Sequence, residues 1–346
     1  MARRNDIDNL RWMGILLLFP YHTFTLYNNW GEDYYVRLAE SGPLSLLVKI
    51  CQPWFMPLLF ALAGISMVYS LEKRTPAQYV KERVSKLLIP LLAGIVLVAP
   101  SLTYFAERFH NGYTGGYFAQ YRLFFTITDL VGYHGGFTPV HLWFLAYLFV
   151  ISLAALPLVL VWRKRRGKAF RGLLPVYLLF AAVWLADAIL NLNGKSLGRY
   201  FALFTLGATV LSSETVQQGL EAKRRQLCVL WGAATLLLCA SPAGLIHDGL
   251  FQMAGWFGIL ALLGLGRRYL DFYNALSAYF IKASFPIYIF HLPWIVLLAF
   301  YIGPRVRSVA GQLALILPLG FILTLLSYEA ARRVPVLRKL FAIAPK

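Results

Sequence analysis

The chain has 346 residues, of which 59% are hydrophobic and 14% charged, while a water-soluble domain carries roughly a quarter of its residues as charges. With a mean hydropathy of +0.62, it reads as a polytopic membrane protein. The net charge of +18 has the sign that nucleic acid attracts, but most of the cations flank apolar runs, so nucleic acid is not expected as a partner.

Ten apolar runs follow one another, at about 10–28, 44–70, 84–103, 140–161, 172–190, 199–212, 226–240, 249–266, 283–302 and 308–328. They are continuous rather than alternating, which predicts an all-α bundle of about ten transmembrane helices and not a membrane barrel. The first run, within NLRWMGILLLFPYHTF, lacks a small-residue cleavage site and carries Tyr21, His22 and Tyr27 in its far half, so it is not read as a secretion signal. On one continuous helix Arg11 and His22, eleven residues apart, stand about three turns and ~16 Å from each other on nearly one face. Asp8, one turn before Arg11, can pair with it. Arg11 also reads as an ordinary anchor at the membrane edge, and His22 as a packing histidine. Ionisable groups at membrane depth are costly, however, and face polar interiors.

Between the second and third runs, TPAQYVKERVSKLLIP places Lys81, Arg83 and Lys86 within two turns. Arg83 and Lys86, at i and i+3, can approach one ligand together, and a phosphate-bearing donor suits such a pair. Anchoring explains the same charges. The connection at 104–139 holds NGYTGG and GYHGGF, with nine aromatic residues from 104 to 125. Long connections in compact proteins are often lids or binding loops. Its rings can stack on sugars or simply anchor at the interface, and 118–129 reads as an interfacial helix.

The fourth run opens with PVHLWFLAYLF, so His141 and Trp143 join His134 as candidates for handling an acceptor. The basic run at 163–171 is a topology signal or a contact for anionic lipid. In the ninth run, SFPIYIFHLPW sets His291 midway, with Tyr288 one turn before it and Pro293 just after. A second histidine beside a helix irregularity points to a polar cavity. Cys51, Cys228 and Cys239 lie in apolar runs without metal-ligand spacing and read as small buried hydrophobes.

Alternating the connections puts 24 Lys and Arg on one side, and seven on the other: Arg37, Arg108, Arg122, Lys195, Arg199, Arg305 and Arg307. The positive-inside rule therefore predicts cytoplasmic termini. All six histidines then fall within spans or on the outer side, which points to chemistry in the outer half. No Gly-rich phosphate loop, HExxH or GxSxG occurs. At this level a transporter using His22 and His291 in a polar cavity stays open beside an enzyme.

Three of these segments together carry a resemblance. Asp8-x-x-Arg11 followed by ten residues and His22, the aromatic segment around His141, and FPIYIFHLPW resemble, in order, motifs of the membrane-bound acyltransferase family 3. The resemblance covers about 1–300 and includes the ten-span architecture. It implies one integral membrane domain over 1–346, with 104–139 as its outer loop and 329–346 as a basic cytoplasmic tail, in a bacterial cytoplasmic membrane. It also implies transfer of a short acyl group, acetyl above all, from a coenzyme A thioester to a hydroxyl of a carbohydrate or glycolipid acceptor, with acyl-CoA as cosubstrate and no metal or tightly bound cofactor. His22 matches the family's essential histidine and Arg11 its partner arginine. Asp8, Tyr288 and His291 become orienting or transition-state candidates. Arg83-x-x-Lys86 resembles the family's Arg-x-x-Arg donor motif, with lysine in place of the second arginine, which keeps the charge but loses a bidentate fork. The family's frequent extracellular hydrolase-like domain is missing from this sequence.

Overall fold

The computed structural model describes residues 4–126, 132–164, 172–192 and 194–344. Residues 165–171 of the basic run and 127–129 of the expected interfacial helix lie outside the described residues. What is described is almost entirely helical, with one short antiparallel pair, Asn191–Leu192 with Lys195–Ser196.

Six helices are long and apolar enough to cross a membrane: Gly42–Lys73, Pro76–His110, Val140–Lys164, Leu245–Tyr269, Ala275–Ile302 and Val309–Ala331. They coincide with six of the ten expected spans. The expectation of ten is corrected here, because the other four fold as helices that fall short. The first is interrupted at Leu17, giving Asn5–Leu16 and Leu18–Thr25, and its opening turns carry Asp6, Asp8 and Arg11. The helices Leu174–Asp187 and Leu197–Leu211 have between 10 and 17 residues, and at 1.5 Å per residue such lengths stay below a ~30 Å hydrocarbon core. The helix Arg224–Ala240 has 17 residues and opens on two arginines. The connection expected at 104–139 begins in helix, since Ala99–His110 extends through its first residues, and 118–126 contributes only the single turn Tyr121–Phe124.

The chain divides into two compact units. The first comprises Met1–Gly14, Ile50–Arg83 and Tyr147–Ile281. Its centre is a close crossing of Phe55–Lys73 with Leu197–Leu206 and the π-helical turn Gly207–Leu211. Small residues permit that approach: a Cβ on Gly64 would sit 2.0 Å from the Phe204 carbonyl oxygen, and one on Gly207 would sit 2.3 Å from that of Ala61. Two buried polar side chains of this unit reach backbone carbonyls. Arg199 donates to the Pro53 carbonyl at 2.7 Å and covers the Phe251 ring. Asn9, fully buried, donates to the carbonyls of Leu270 and Phe272 at 2.7 and 2.8 Å. Arg4 and Arg267 take part in an ion-pair network with Asp6, Glu214 and Glu221.

The second unit comprises Ile15–Lys49, Val84–Ala146 and Lys282–Lys346. It holds five of the six histidines. After the helix Leu18–Thr25, the chain turns at Gly31, whose φ of +78° suits glycine. Asn28 clamps this turn by donating to the carbonyls of Thr25 and Glu32 and accepting from the Glu32 amide. The returning strand of loop is fixed by Leu38 N–H to the Leu26 carbonyl and Ser41 N–H to that of Tyr27. Residues 33–37 are thereby laid back along the end of the helix that bears His22.

Replacing Gly64 by alanine should lower the thermal midpoint of detergent-purified protein by several degrees, because overpacking a close helix crossing costs about 1–3 kcal/mol. Gly232→Ala, in a helix where the added Cβ meets nothing within 4 Å, should leave the midpoint unchanged or raise it. Equal midpoints for the two variants would remove the close crossing from the stability of this unit.

Candidate active site

Proline sets the geometry of the site. Pro293 lies inside the continuous helix Ala275–Ile302 and has no N–H, so the carbonyl four residues earlier, on Ile289, has no helical donor. His141 supplies one from another element, donating Nε2–H to the Ile289 oxygen at 3.0 Å. Tyr288 answers in the other direction and donates its hydroxyl to the His141 carbonyl at 2.5 Å. His141 is thus held at both its ring and its backbone by one turn of this helix. The irregularity expected at Pro293 is a missing hydrogen bond rather than a break.

His291, fully buried, donates Nδ1–H to the Tyr288 carbonyl at 2.8 Å. Its ring lies 5.2 Å from that of His141 and 5.2 Å from that of His22, centroid to centroid. Phe19 packs edge-on against it. The carbonyl partners fix the tautomers: the second nitrogens, His141 Nδ1 and His291 Nε2, carry lone pairs. Both are buried and have no hydrogen-bond partner among the described residues. An unpaired buried acceptor costs about 1–3 kcal/mol, so these two atoms mark a place made to receive a donor such as a hydroxyl.

His22 completes the cluster from the helix Leu18–Thr25. Its Nδ1 lies 2.8 Å from the Tyr34 hydroxyl, and its Nε2 has no protein partner among the described residues. Tyr34 is 3% exposed, boxed by Tyr35 and Tyr133 at 5.0 and 5.2 Å. Burial, followed by the neighbouring phenols, holds its own phenol well above the ordinary value, so it stays neutral. For His22 Nε2 to accept a proton, Nδ1 must carry the hydrogen, and the Tyr34 oxygen is then its acceptor. Among the described residues no group of three or more His, Cys, Asp or Glu is arranged to hold a metal ion. Two of the three rings already commit a nitrogen to a carbonyl.

The segment entering His141 is strained. Val140 has a φ of +44°, a left-handed conformation that is rare for a β-branched residue. Such strain costs about 1–3 kcal/mol and gathers at functional sites. Val140 N–H is held by the Thr138 hydroxyl at 3.0 Å, and Trp143 follows at the start of the helix Trp143–Lys164, partly exposed.

The remaining candidates lie elsewhere. His134 is exposed, 3.1 Å from Asp33 and stacked at 4.5 Å on His110. His110 in turn bonds the Tyr34 carbonyl at 2.7 Å, so His134 bears on the loop that carries Tyr34. Arg11 belongs to the first unit, where it meets Asp8 at 2.9 Å and the Ser66 hydroxyl at 2.6 Å. Arg83 ends the helix Pro76–Arg83, with its guanidinium over the Tyr79 ring and 3.6 Å from Glu82. Lys86 sits in the π-helical turn Val84–Leu88, a geometry that recurs at functional sites.

A family model described as an acyltransferase domain, that of acyltransferase family 3, matches residues 4–328. The chain belongs to this family. It is therefore a membrane-bound acyltransferase of the acyl-CoA type, and the alternative of a transporter gives way. The chain is similar to the Glucans biosynthesis protein C of Salmonella agona (strain SL483) and of Salmonella enteritidis PT4 (strain P125109), 24% identical to each over 382 residues, covering 99% of this chain and 95% of each relative. No solved structure matches it.

Sequence reading placed His141 with the acceptor-side candidates and passed over Tyr34. Nothing in periodicity pairs a tyrosine of a short connection with a histidine twelve residues earlier; the Gly31 turn makes the pair. Tyr34→Phe should keep the acyltransferase folded, with a small fall in thermal midpoint from the partner that His22 Nδ1 loses, and lower kcat about tenfold, the equivalent of roughly one lost hydrogen bond. Parental kcat in purified Tyr34→Phe would show that His22 is oriented without it.

Proposed function

We propose that this acyltransferase moves a short acyl group, acetyl first among them, from coenzyme A to a hydroxyl of a carbohydrate-like acceptor, with His22 as general base. The observation that carries this reading is the convergence of His22, His141 and His291 with unpartnered ring nitrogens, in a chain of this family. The acceptor hydroxyl attacks the thioester carbonyl carbon while His22 Nε2 takes its proton and Nδ1–H donates to Tyr34. The tetrahedral intermediate collapses with cleavage of the carbon–sulfur bond. The thiolate leaves and recovers the proton from His22 as coenzyme A. His141 Nδ1 and His291 Nε2 accept hydrogen bonds from acceptor hydroxyls and so hold the nucleophile in line.

A carbohydrate acceptor is supported by the name of the relatives, Glucans biosynthesis protein C, and by the aromatic residues of 104–125. Cytoplasmic termini in a bacterial cytoplasmic membrane and an acceptor met from the outer side belong to the same proposal. Arg11, Arg83 and Lys86 are each candidates for contact with the donor on this reading, with Asp8 holding Arg11. His134 and Trp143 serve acceptor handling.

His22→Ala should reduce acyl transfer by about 10²–10⁴-fold while coenzyme A binding persists. The readout is mass spectrometry of glycans and lipids from cells fed isotope-labelled acetate, with parent, variant and deletion compared. A labelled ester that survives in His22→Ala at the parental level would move the base elsewhere, with His291 next.

Arg11→Ala and Arg83→Ala should each weaken coenzyme A binding in detergent calorimetry, and Lys86→Arg should bind like the parent. Parental binding by both alanine variants would make these charges anchors and leave the donor entrance elsewhere.

A further inference from the structure

Four arginines line one cavity of the second unit. Arg37 reaches it from the loop after the His22 helix and Arg108 from the helix Ala99–His110. Arg305 and Arg307 come from the connection between Ala275–Ile302 and Val309–Ala331. The cavity measures about 880 Å³ and no acidic residue lines it. Arg37 is neutralised by Glu40 and Asp33. Among the described residues, no carboxylate pairs with Arg108, Arg305 or Arg307.

The walls have a second character. Phe300 and Tyr301 form apolar surface, with the Arg108 guanidinium 5.3 Å from the Phe300 ring centre and Arg305 5.9 Å from that of Tyr301. The lining belongs to the ends of long apolar helices, so the cavity opens where hydrocarbon gives way to water. Guanidinium groups offer paired donors to phosphate oxygens, and their weak hydration favours partly buried anions. Uncompensated arginines above aromatic surface, at a membrane edge, fit an anionic head with an apolar tail.

We propose that this cavity binds the phosphate ester of an anionic membrane lipid, with Arg108, Arg305 and Arg307 on the phosphate and the aromatic wall against the first carbons of the chains. The loop that brings Arg37 to the cavity also brings Tyr34 to His22, three residues earlier. Gln312, on the cavity wall, accepts the Tyr27 hydroxyl at 2.8 Å. The inference does not rest on the acyl-transfer reading, since binding is measured without turnover.

The test uses full-length protein in dodecyl maltoside and three probes: dioctanoyl phosphatidylglycerol, dioctanoyl phosphatidylcholine and inorganic phosphate. Affinity is read by microscale thermophoresis. The parent should prefer phosphatidylglycerol to phosphatidylcholine about tenfold or more, and Arg305→Gln/Arg307→Gln should remove about a tenfold factor for the anionic lipid alone. These two arginines are exposed, so the variant should keep the parental thermal midpoint. Arg108→Gln serves as an independent second variant with the same expected loss. Equal affinity for the two lipids, or parental affinity in both variants, overturns the site. Inorganic phosphate binding as tightly as phosphatidylglycerol overturns the lipid as the source of the anion.

Discussion

The Ile289 carbonyl is the constraint around which the candidate site is organised. In an apolar interior a backbone carbonyl without a donor costs several kcal/mol, and Pro293 removes the donor that the helix would have provided. The chain meets this by bringing His141 across to Ile289 and fastening it with the Tyr288 hydroxyl. One nitrogen of the His141 ring is consumed in the process and the other is left bare. The same turn captures His291 through the Tyr288 carbonyl. Two imidazoles are therefore fixed in orientation by backbone groups, which allow little rotation, while a third, His22, is steadied by the side chain of Tyr34. The strained Val140 fits this account, since the backbone entering His141 is bent to meet a fixed point on another helix.

Charge is used differently in different parts of the molecule. In the first unit Arg4 and Arg267 are compensated by carboxylates, Arg11 is shared between Asp8 and Ser66, and Arg199 donates to a carbonyl. Those groups fasten helices. Around the cavity of the second unit, Arg108, Arg305 and Arg307 keep their charge uncompensated, which is what an anion-binding surface needs and a structural clamp does not. Formal net charge counts both kinds alike.

Of the architecture, the membrane class and the helical content were legible in composition and in the continuity of the apolar runs. Six spans were legible too, because twenty or so consecutive apolar residues leave little choice but a helix. The count of ten was not. Hydropathy registers that 199–212 or 226–240 is apolar, but not how far the helix runs before a turn or a charged residue ends it. Of the site, His22, His141 and His291 were named from sequence as ionisable groups in apolar runs. Tyr34 was not, because its place depends on the Gly31 turn and the Asn28 clamp.

The sequence by itself determined a multi-span membrane acyltransferase with histidines at membrane depth, because apolar run length, charge placement and motif order are one-dimensional properties. The tertiary structure decided which of those histidines meet, which of their nitrogens are committed and which remain open. Those outcomes depend on a carbonyl freed at Pro293 and on a loop folding back from Gly31. The first joins residues 148 positions apart and the second a tyrosine and a histidine twelve apart, and in neither case does chain order alone set the hydrogen bond.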